Sequence, residues 1–284
     1  MLLNQKTKKL LETMAFSGGR VYVFRGEKGI GRMCYMRQAA AAFFHIPEKF
    51  LADQPDYYEL HSEKTIGVGD LSDFRSFTEY LPANAPCKVA VIDADGLTDE
   101  AQASLLKLLE DGATHVMFVL IVNRGLLDTI ISRSRVIPFL PVENEKMESL
   151  GGDPVARALA FGRPGMFYVL SCPEQKAYIQ TCERAADAIL SRDRVGIMQA
   201  LHLVKEKDKE AFFECYGKNY TLMFFKYLQE RISMALASCS DANQCEKLKK
   251  LSMQLYVSHL CMVKAGSYSK NDFFEFVRSI CDCC

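Results

Sequence analysis

The sequence predicts an α/β fold, a parallel sheet covered on both faces, followed by a short helical bridge and an all-helical region. Three observations carry that expectation. The runs Val89–Ile92 and Val116–Val122 are apolar at every position rather than at alternate ones, as strands buried on both faces require. Helical patterns separate the strand-like runs, the rhythm of parallel crossovers. After Pro141 strand-like runs stop, and from about residue 174 apolar residues recur every three or four positions.

In chain order, Val21-Tyr22-Val23-Phe24 is the first strand, and it ends in a glycine-rich turn. Met33 to Phe44 is alanine-rich and helical. Tyr57 to Leu60 is a candidate second strand, and Lys88 to Asp93 is the third. Asp99 to Asp111 is a helix, because Asp99 and Glu100 suit its positive N-terminal end and Gly112 stops it. Val116–Val122 is the fourth strand and Arg135 to Phe139 the fifth. Residues 142–170 read as short helical pieces broken by Gly151-Gly152 and Gly162-Arg163-Pro164-Gly165. Beyond them, Phe225, Leu228, Ile232 and Leu236 share one helix face, as do Leu248, Leu251, Leu255, His259 and Met262. His259 fits a core or interface position better than a ligand.

Composition narrows the function. Of 284 residues, 49% are apolar, and 35 basic residues balance 35 acidic ones. Zero net charge argues against coating DNA or an anionic membrane by bulk charge. It leaves room for a local patch, since residues 1–37 hold eight basic residues against Glu12 and Glu27. No apolar run reaches the roughly 18 residues of a membrane span. The polar N-terminus lacks a secretory apolar segment, so the expected location is cytoplasmic and the 11 cysteines are expected to be mainly free thiols. Cys281-Asp282-Cys283-Cys284 is their densest cluster, but no histidine or second pair stands near it in sequence.

The turn after the first strand reads Gly26-Glu27-Lys28-Gly29-Ile30-Gly31-Arg32-Met33. Its glycine spacing is that of the phosphate loop G-x-x-x-x-G-K-[ST], whose backbone N–H groups cradle phosphates. The chemistry differs. Arg32 stands where a lysine reaches the β- and γ-phosphates, and the two are not equivalent. Met33 stands where a hydroxyl ligates Mg²⁺. The third strand ends Ile92-Asp93-Ala94-Asp95, with Ala94 where hydrolytic members carry a glutamate and Asp95 expected to point elsewhere. Three altered parts together suggest a fold retained and hydrolysis lost. A plain strand-to-helix turn remains the alternative.

Val91 to Glu110, with its Ile92-Asp93-Ala94-Asp95 and Ala101-Gln102-Ala103-Ser104-Leu105-Leu106-Lys107-Leu108-Leu109-Glu110 stretches, resembles the Walker B strand and following helix of bacterial clamp-loader AAA+ subunits. Val119 to Asn123 is similar to their sensor 1 strand, and Ser132-Arg133-Ser134 to their Ser-Arg-Cys motif with Ser134 in place of Cys. Gln54 to Tyr58 and Lys64 to Val68 resemble the "HPD" and "SIGV" segments, and Gly162-Arg163-Pro164-Gly165 the sensor 2 turn. The resemblance covers residues from about 20 to 170. It implies an AAA+ P-loop domain with a five-stranded parallel sheet over residues 1–140, a lid over 141–172 and a helical collar over 173–284.

Within the family the residues match the subunit type that keeps the arginine motif without a working ATP site. Gamma/tau subunits keep an intact P-loop, and delta subunits generally lack the arginine motif. The resemblance therefore implies a non-hydrolysing member of a DNA polymerase III clamp loader. Arg133, flanked by Ser132 and Ser134 at an interface, would act in trans on ATP held by a neighbouring subunit. Gly26, Gly29, Gly31, Arg32, Asp93 and Asn123 would be the remnant of a nucleotide site. The expected partners are gamma/tau and delta subunits and, through the complex, the sliding clamp and primed DNA. This chain is expected to hold no cofactor, with weak or no nucleotide binding. No zinc is expected, because residues 38–86 contain no cysteine. Met166 stands after the sensor 2 turn, where a nucleotide-contacting subunit offers a basic residue nearby.

The bare residues leave alternatives open. Arg133 could cap the helix from Leu126 to Ser132. Asn123 could position a water in a live site or satisfy backbone groups at a strand end. Lys6 to Lys9 could face DNA or only solvent. The whole chain could also be an active ATPase with Arg32 in the lysine's place, or a scaffold with a decayed P-loop.

Overall fold

The structure, a computed structural model, describes residues 1–61, 65–110, 114–123, 125–191, 193, 195–196 and 220–265. It divides into two compact units. One comprises residues 1–149 with 162–166, and the other residues 150–161 with 167 onward.

The first unit is built on five parallel strands: β1 (Val21–Arg25), β2 (Tyr57–Leu60), β3 (Lys88–Asp93), β4 (Val116–Val122) and β5 (Arg135–Pro138). Their spatial order is β2-β3-β4-β1-β5. Val21 aligns with Phe118, Lys88 with Val116, Tyr57 with Val89 and Tyr22 with Arg135. All seven residues of β4 are buried, which accounts for its unbroken apolar run.

The period of two sends alternate residues to two cores. Tyr22, Phe24, Val89, Val91, Met117, Val119 and Ile121 meet Leu11 of α1 (Gln5–Leu11) and Met36 and Ala40 of α2 (Arg32–Phe44). On the other face, Val23, Ala90, Ile92, Phe118 and Leu120 meet Phe74 of α3 (Ser72–Glu79), Ala101 and Leu105 of α4 (Asp99–Glu110) and Ile130 of α5 (Asp128–Ile131).

Two buried polar anchors hold the edges of this unit. Asp56, fully buried just before β2, accepts the backbone N–H groups of Ala83, Asn84 and Ala85 at 2.7, 2.8 and 2.9 Å. Thr7 ties α1 to the end of β5, donating to the Pro138 carbonyl at 2.9 Å and accepting from Leu140 N–H at 3.1 Å. The exposed lysines Lys6, Lys8 and Lys9 lie on the same helix. A short helix α6 (Asn144–Glu148) follows the sheet.

The second unit is helical throughout its described residues. Helix α7 (Pro154–Ala160) starts on Asp153, whose carboxylate caps Val155 N–H at 2.7 Å, with proline at a first-turn position where its missing N–H costs nothing. Helix α8 (Pro164–Leu170) spans the change between units. Helix α9 (Lys176–Ser191) buries Tyr178, Ile179, Cys182, Ala185, Ala186 and Ile189. Helix α10 (Tyr220–Ser238) buries Phe224, Tyr227, Leu228 and Ile232, and helix α11 (Ala242–Ala265) buries Leu248 and Leu255. The expectations placed on Lys64, Gly112, the side chains of Phe225, His259 and Met262, and the Cys281-Asp282-Cys283-Cys284 tail lie outside the described residues.

Candidate functional site

In an open parallel sheet the ligand site lies beyond the carboxyl ends of the strands, where the strand order reverses. Here β1 lies between β4 and β5, so the turn after β1 leaves the sheet beside the end of β4. The Gly26 N–H donates to the Val122 carbonyl at 3.0 Å. Gly29 and Gly31 have φ of 82° and 99°, a region costly for side-chain-bearing residues. Gly31 is the N-cap of α2. The glycine spacing thus yields the strand–turn–helix of a phosphate loop.

Protein packs against that loop. A Cβ on Gly165 would stand 2.8 Å from the Gly29 carbonyl oxygen, and the Gly165 N–H donates to that same oxygen at 2.8 Å. Beside it the buried Arg163 guanidinium pairs with Glu27 at 3.2 Å. Burial pulls Arg163 down from its ordinary range, and Glu27 opposes the shift. The sensor 2-like turn therefore packs directly on the glycine-rich turn.

Arg32, 6% exposed, lies with Nη2 4.0 Å from Asp95 Oδ2. Burial lowers its pKa from the usual range, while Asp95 and then Asp93 raise it. It remains a cation. Its Nη1 has no hydrogen-bond partner among the described residues. Met33, next in α2, offers no oxygen.

Asp95 corrects the expectation that it points elsewhere. A 3-10 turn over Ala94–Gly96 follows β3 directly and folds Asp95 back across the sheet end. Its Oδ1 accepts the Asn123 backbone N–H at 2.6 Å, and its Oδ2 faces Arg32. Asn123 enters the site through that main-chain N–H, and its residue surface is exposed. Asp93 is engaged on its other side, with Oδ2 3.0 Å from His61 Nδ1 just past the end of β2. Sequence spacing alone does not reveal His61, Glu27 or Arg163 as partners, because each pair joins distant segments.

Arg133 lies past the end of α5, and its side chain is 47% exposed. Its Nη1 donates to the Thr129 carbonyl at 3.1 Å, and its Nη2 pairs with Glu110 Oε1 at 2.8 Å. Ser132 Oγ donates to Thr129 O at 3.0 Å and Ser134 Oγ to Ile130 O at 2.6 Å. The loop before α5 is held by Gln102 of α4, whose Oε1 accepts Leu127 N–H at 3.0 Å.

A separate groove of about 700 Å³ opens beside β2, lined by Arg37, Lys49, Leu51, Tyr57 and Glu59 among others. Three of its polar groups satisfy one another. Arg37 forks onto Glu59 at 2.9 and 2.5 Å, and Tyr57 OH donates to the same carboxylate at 2.8 Å. No group of three or more metal-ligating side chains converges among the described residues.

Residues 3–143 match the family described as DNA polymerase III, delta subunit. That match makes the first half of the chain similar to the family. A curated relative, DNA polymerase III subunit delta' of Bacillus subtilis strain 168, is 28% identical over 144 residues. That match spans 45% of this chain and 44% of the relative, less than half of each. Among solved structures, a DNA polymerase III gamma subunit-related protein from Thermotoga maritima superposes with a TM-score of 0.50 at 17% identity. The superposition covers 98% of this chain and 99% of that one. At that identity it speaks to the fold alone, an α/β unit on a five-stranded parallel sheet followed by helices. Arg32, Met33 and Ala94 stand at the carboxyl end of the sheet in this chain.

Proposed function

We propose that this chain is the delta prime subunit of a bacterial clamp loader. It does not hydrolyse ATP itself and supplies Arg133 in trans to ATP held by an adjacent gamma/tau-type subunit. Two contacts support the first half of the reading. The cation at the phosphate-loop lysine position is buried against Asp95, and Asp93 is engaged by His61. Met33 supplies no hydroxyl for Mg²⁺ and Ala94 no base for the attacking water, so Asp93 stands without either of those partners.

The second half rests on Arg133. It stands on the surface, on a pivot fixed by Ser132 and Ser134, with exposed contacts holding its guanidinium among the described residues. Charge supplied in trans to a transferring phosphoryl group accelerates reaction by about 10³–10⁵ in known systems. The partners in this reading are gamma/tau and delta subunits and, through the assembly, the sliding clamp and primed DNA, in the cytoplasm. No described helix is long and apolar enough to cross a membrane.

The test is ATP turnover of an assembly reconstituted from this chain and the gamma/tau-type and delta subunits of the same cell, with clamp and primed DNA. R133A should leave the assembly intact by size and reduce turnover at the facing site by about 10³-fold. Unchanged turnover in an intact assembly overturns the trans role. Titration of labelled ATP and ADP against the isolated chain tests the other half. Millimolar or weaker binding is expected, and micromolar binding overturns it. The Nη1 of Arg32 is the group here that would draw an anion.

A further inference from the structure

Where Arg133 rests in the isolated chain bears on how it is used. Its backbone is fixed. The Arg133 N–H donates to the Ile130 carbonyl at 3.2 Å, and the Ser132 and Ser134 hydroxyls close the last turn of α5 on either side. The guanidinium is folded back on its own chain, one nitrogen on the Thr129 carbonyl and the other on Glu110 at 2.8 Å. Glu110 is the last residue of α4. Its acceptor oxygen is the charged group that gives the Arg133 fork a direction. Both ends of the pair are open to solvent, at 47% and 42% exposure.

We propose that Glu110 is the resting partner of Arg133, a positioning residue that parks the guanidinium on this chain and competes with the phosphoryl group of a neighbouring subunit for it. This rests on the reading that Arg133 acts in trans. The phosphoryl group in transfer at a neighbour's site develops charge that accepts the fork in the transition state, so there it can outbid one exposed carboxylate. The swing needs only side-chain torsions, because the pivot at residues 132–134 is already pinned. Exposed ion pairs hold their partners weakly, by a factor of no more than about five. The parked form is therefore a modest brake and not a lock. Neutralising it releases the arginine for the transition state without altering how the neighbour binds ATP.

The experiment uses the reconstituted assembly in single-turnover and steady-state ATPase assays, comparing wild type, E110Q, R133A and the E110Q/R133A pair. E110Q keeps the size and helix position of the side chain and removes its charge. The expected result is a rise in kcat of about two- to fivefold at unchanged KM, absent when the same change is made in the R133A background. Four results sort the ideas. A gain that needs Arg133 supports parking. No change in E110Q, with R133A still impaired, overturns the parking role and leaves the trans reading standing. An equal change in both backgrounds shows that Glu110 acts only on helix structure and also overturns it. No effect of R133A in an intact assembly overturns the trans reading and the parking role with it.

Discussion

Replacing Asp56 with alanine tests the polar anchor of the sheet unit. The carboxylate is fully buried and accepts three backbone N–H groups from Ala83, Asn84 and Ala85. Hydrogen bonds to a charged acceptor are worth about 1.5–3 kcal/mol each, and buried donors left unmatched carry their own penalty. Ala83 and Asn84 lie at the surface and regain water once the loop relaxes. The expected cost of D56A is therefore about 2–4 kcal/mol rather than the full sum. For a unit of this size that corresponds to a fall in Tm of about 5–15 °C, read by circular dichroism or scanning calorimetry. D56N keeps the shape but turns an amide N–H₂ toward at least one donor, so it recovers only part of the loss. Amide exchange at residues 83–85 should rise in both variants. A shift below about 1 kcal/mol in D56A, or wild-type stability in D56N, refutes the argument that this ionised acceptor holds the loop.

Other expectations follow from the same geometry. Cys182 is buried with its thiol pushed up to about 12 by desolvation, so a disulfide reagent at pH 8 should label exposed Cys34 in the native protein and Cys182 only after unfolding. Glu143, held near about 2 first by the Gln5 backbone N–H and also by Lys146, ties down the start of α1. A carboxyl depressed in the folded state contributes fully above the ordinary carboxylate range and loses its effect as pH falls through about 2. The Gln5 amide resonance should report that loss, and E143Q should abolish its acid dependence. G165A should destabilise the packed turns by about 1–3 kcal/mol, because its Cβ would meet the Gly29 carbonyl oxygen at 2.8 Å; an unshifted denaturation midpoint speaks against that packing. R32K alone should not restore ATP turnover to the isolated chain, since Met33 and Ala94 are unchanged.

Much of the sheet could be read from the chain because parallel burial leaves a local mark. β4 is apolar at every position since both its faces are covered. The glycines at 26, 29 and 31 announce a turn that other residues resist, and two of them do have positive φ. The helix after β3 starts where Asp99 and Glu100 suggest, and its first turn is further held by Thr98 Oγ1 accepting Ala101 N–H. The partners in the site were not legible in this way. Arg163 and Glu27 lie far apart in sequence and meet only when the fold brings one turn onto another. Asp95 escaped because strand alternation predicts its direction only while the strand continues, and a 3-10 turn intervenes at Ala94. Glu110 and Arg133 join two helix ends across a strand, a pairing with no periodic signature.

The strand order β2-β3-β4-β1-β5 also has a temporal side. β1 hydrogen-bonds only to β4 and β5, so Val21–Arg25 leaves the ribosome long before either partner exists. At about 5–20 residues per second, an unpaired edge rich in Val, Tyr and Phe waits roughly 5–20 s during synthesis. In that interval α1 and α2 can shield one of its faces, because both precede β4 in the chain. A nascent chain halted near residue 110 should therefore recruit holdase chaperones to this strand, and one extended past residue 140 should release them.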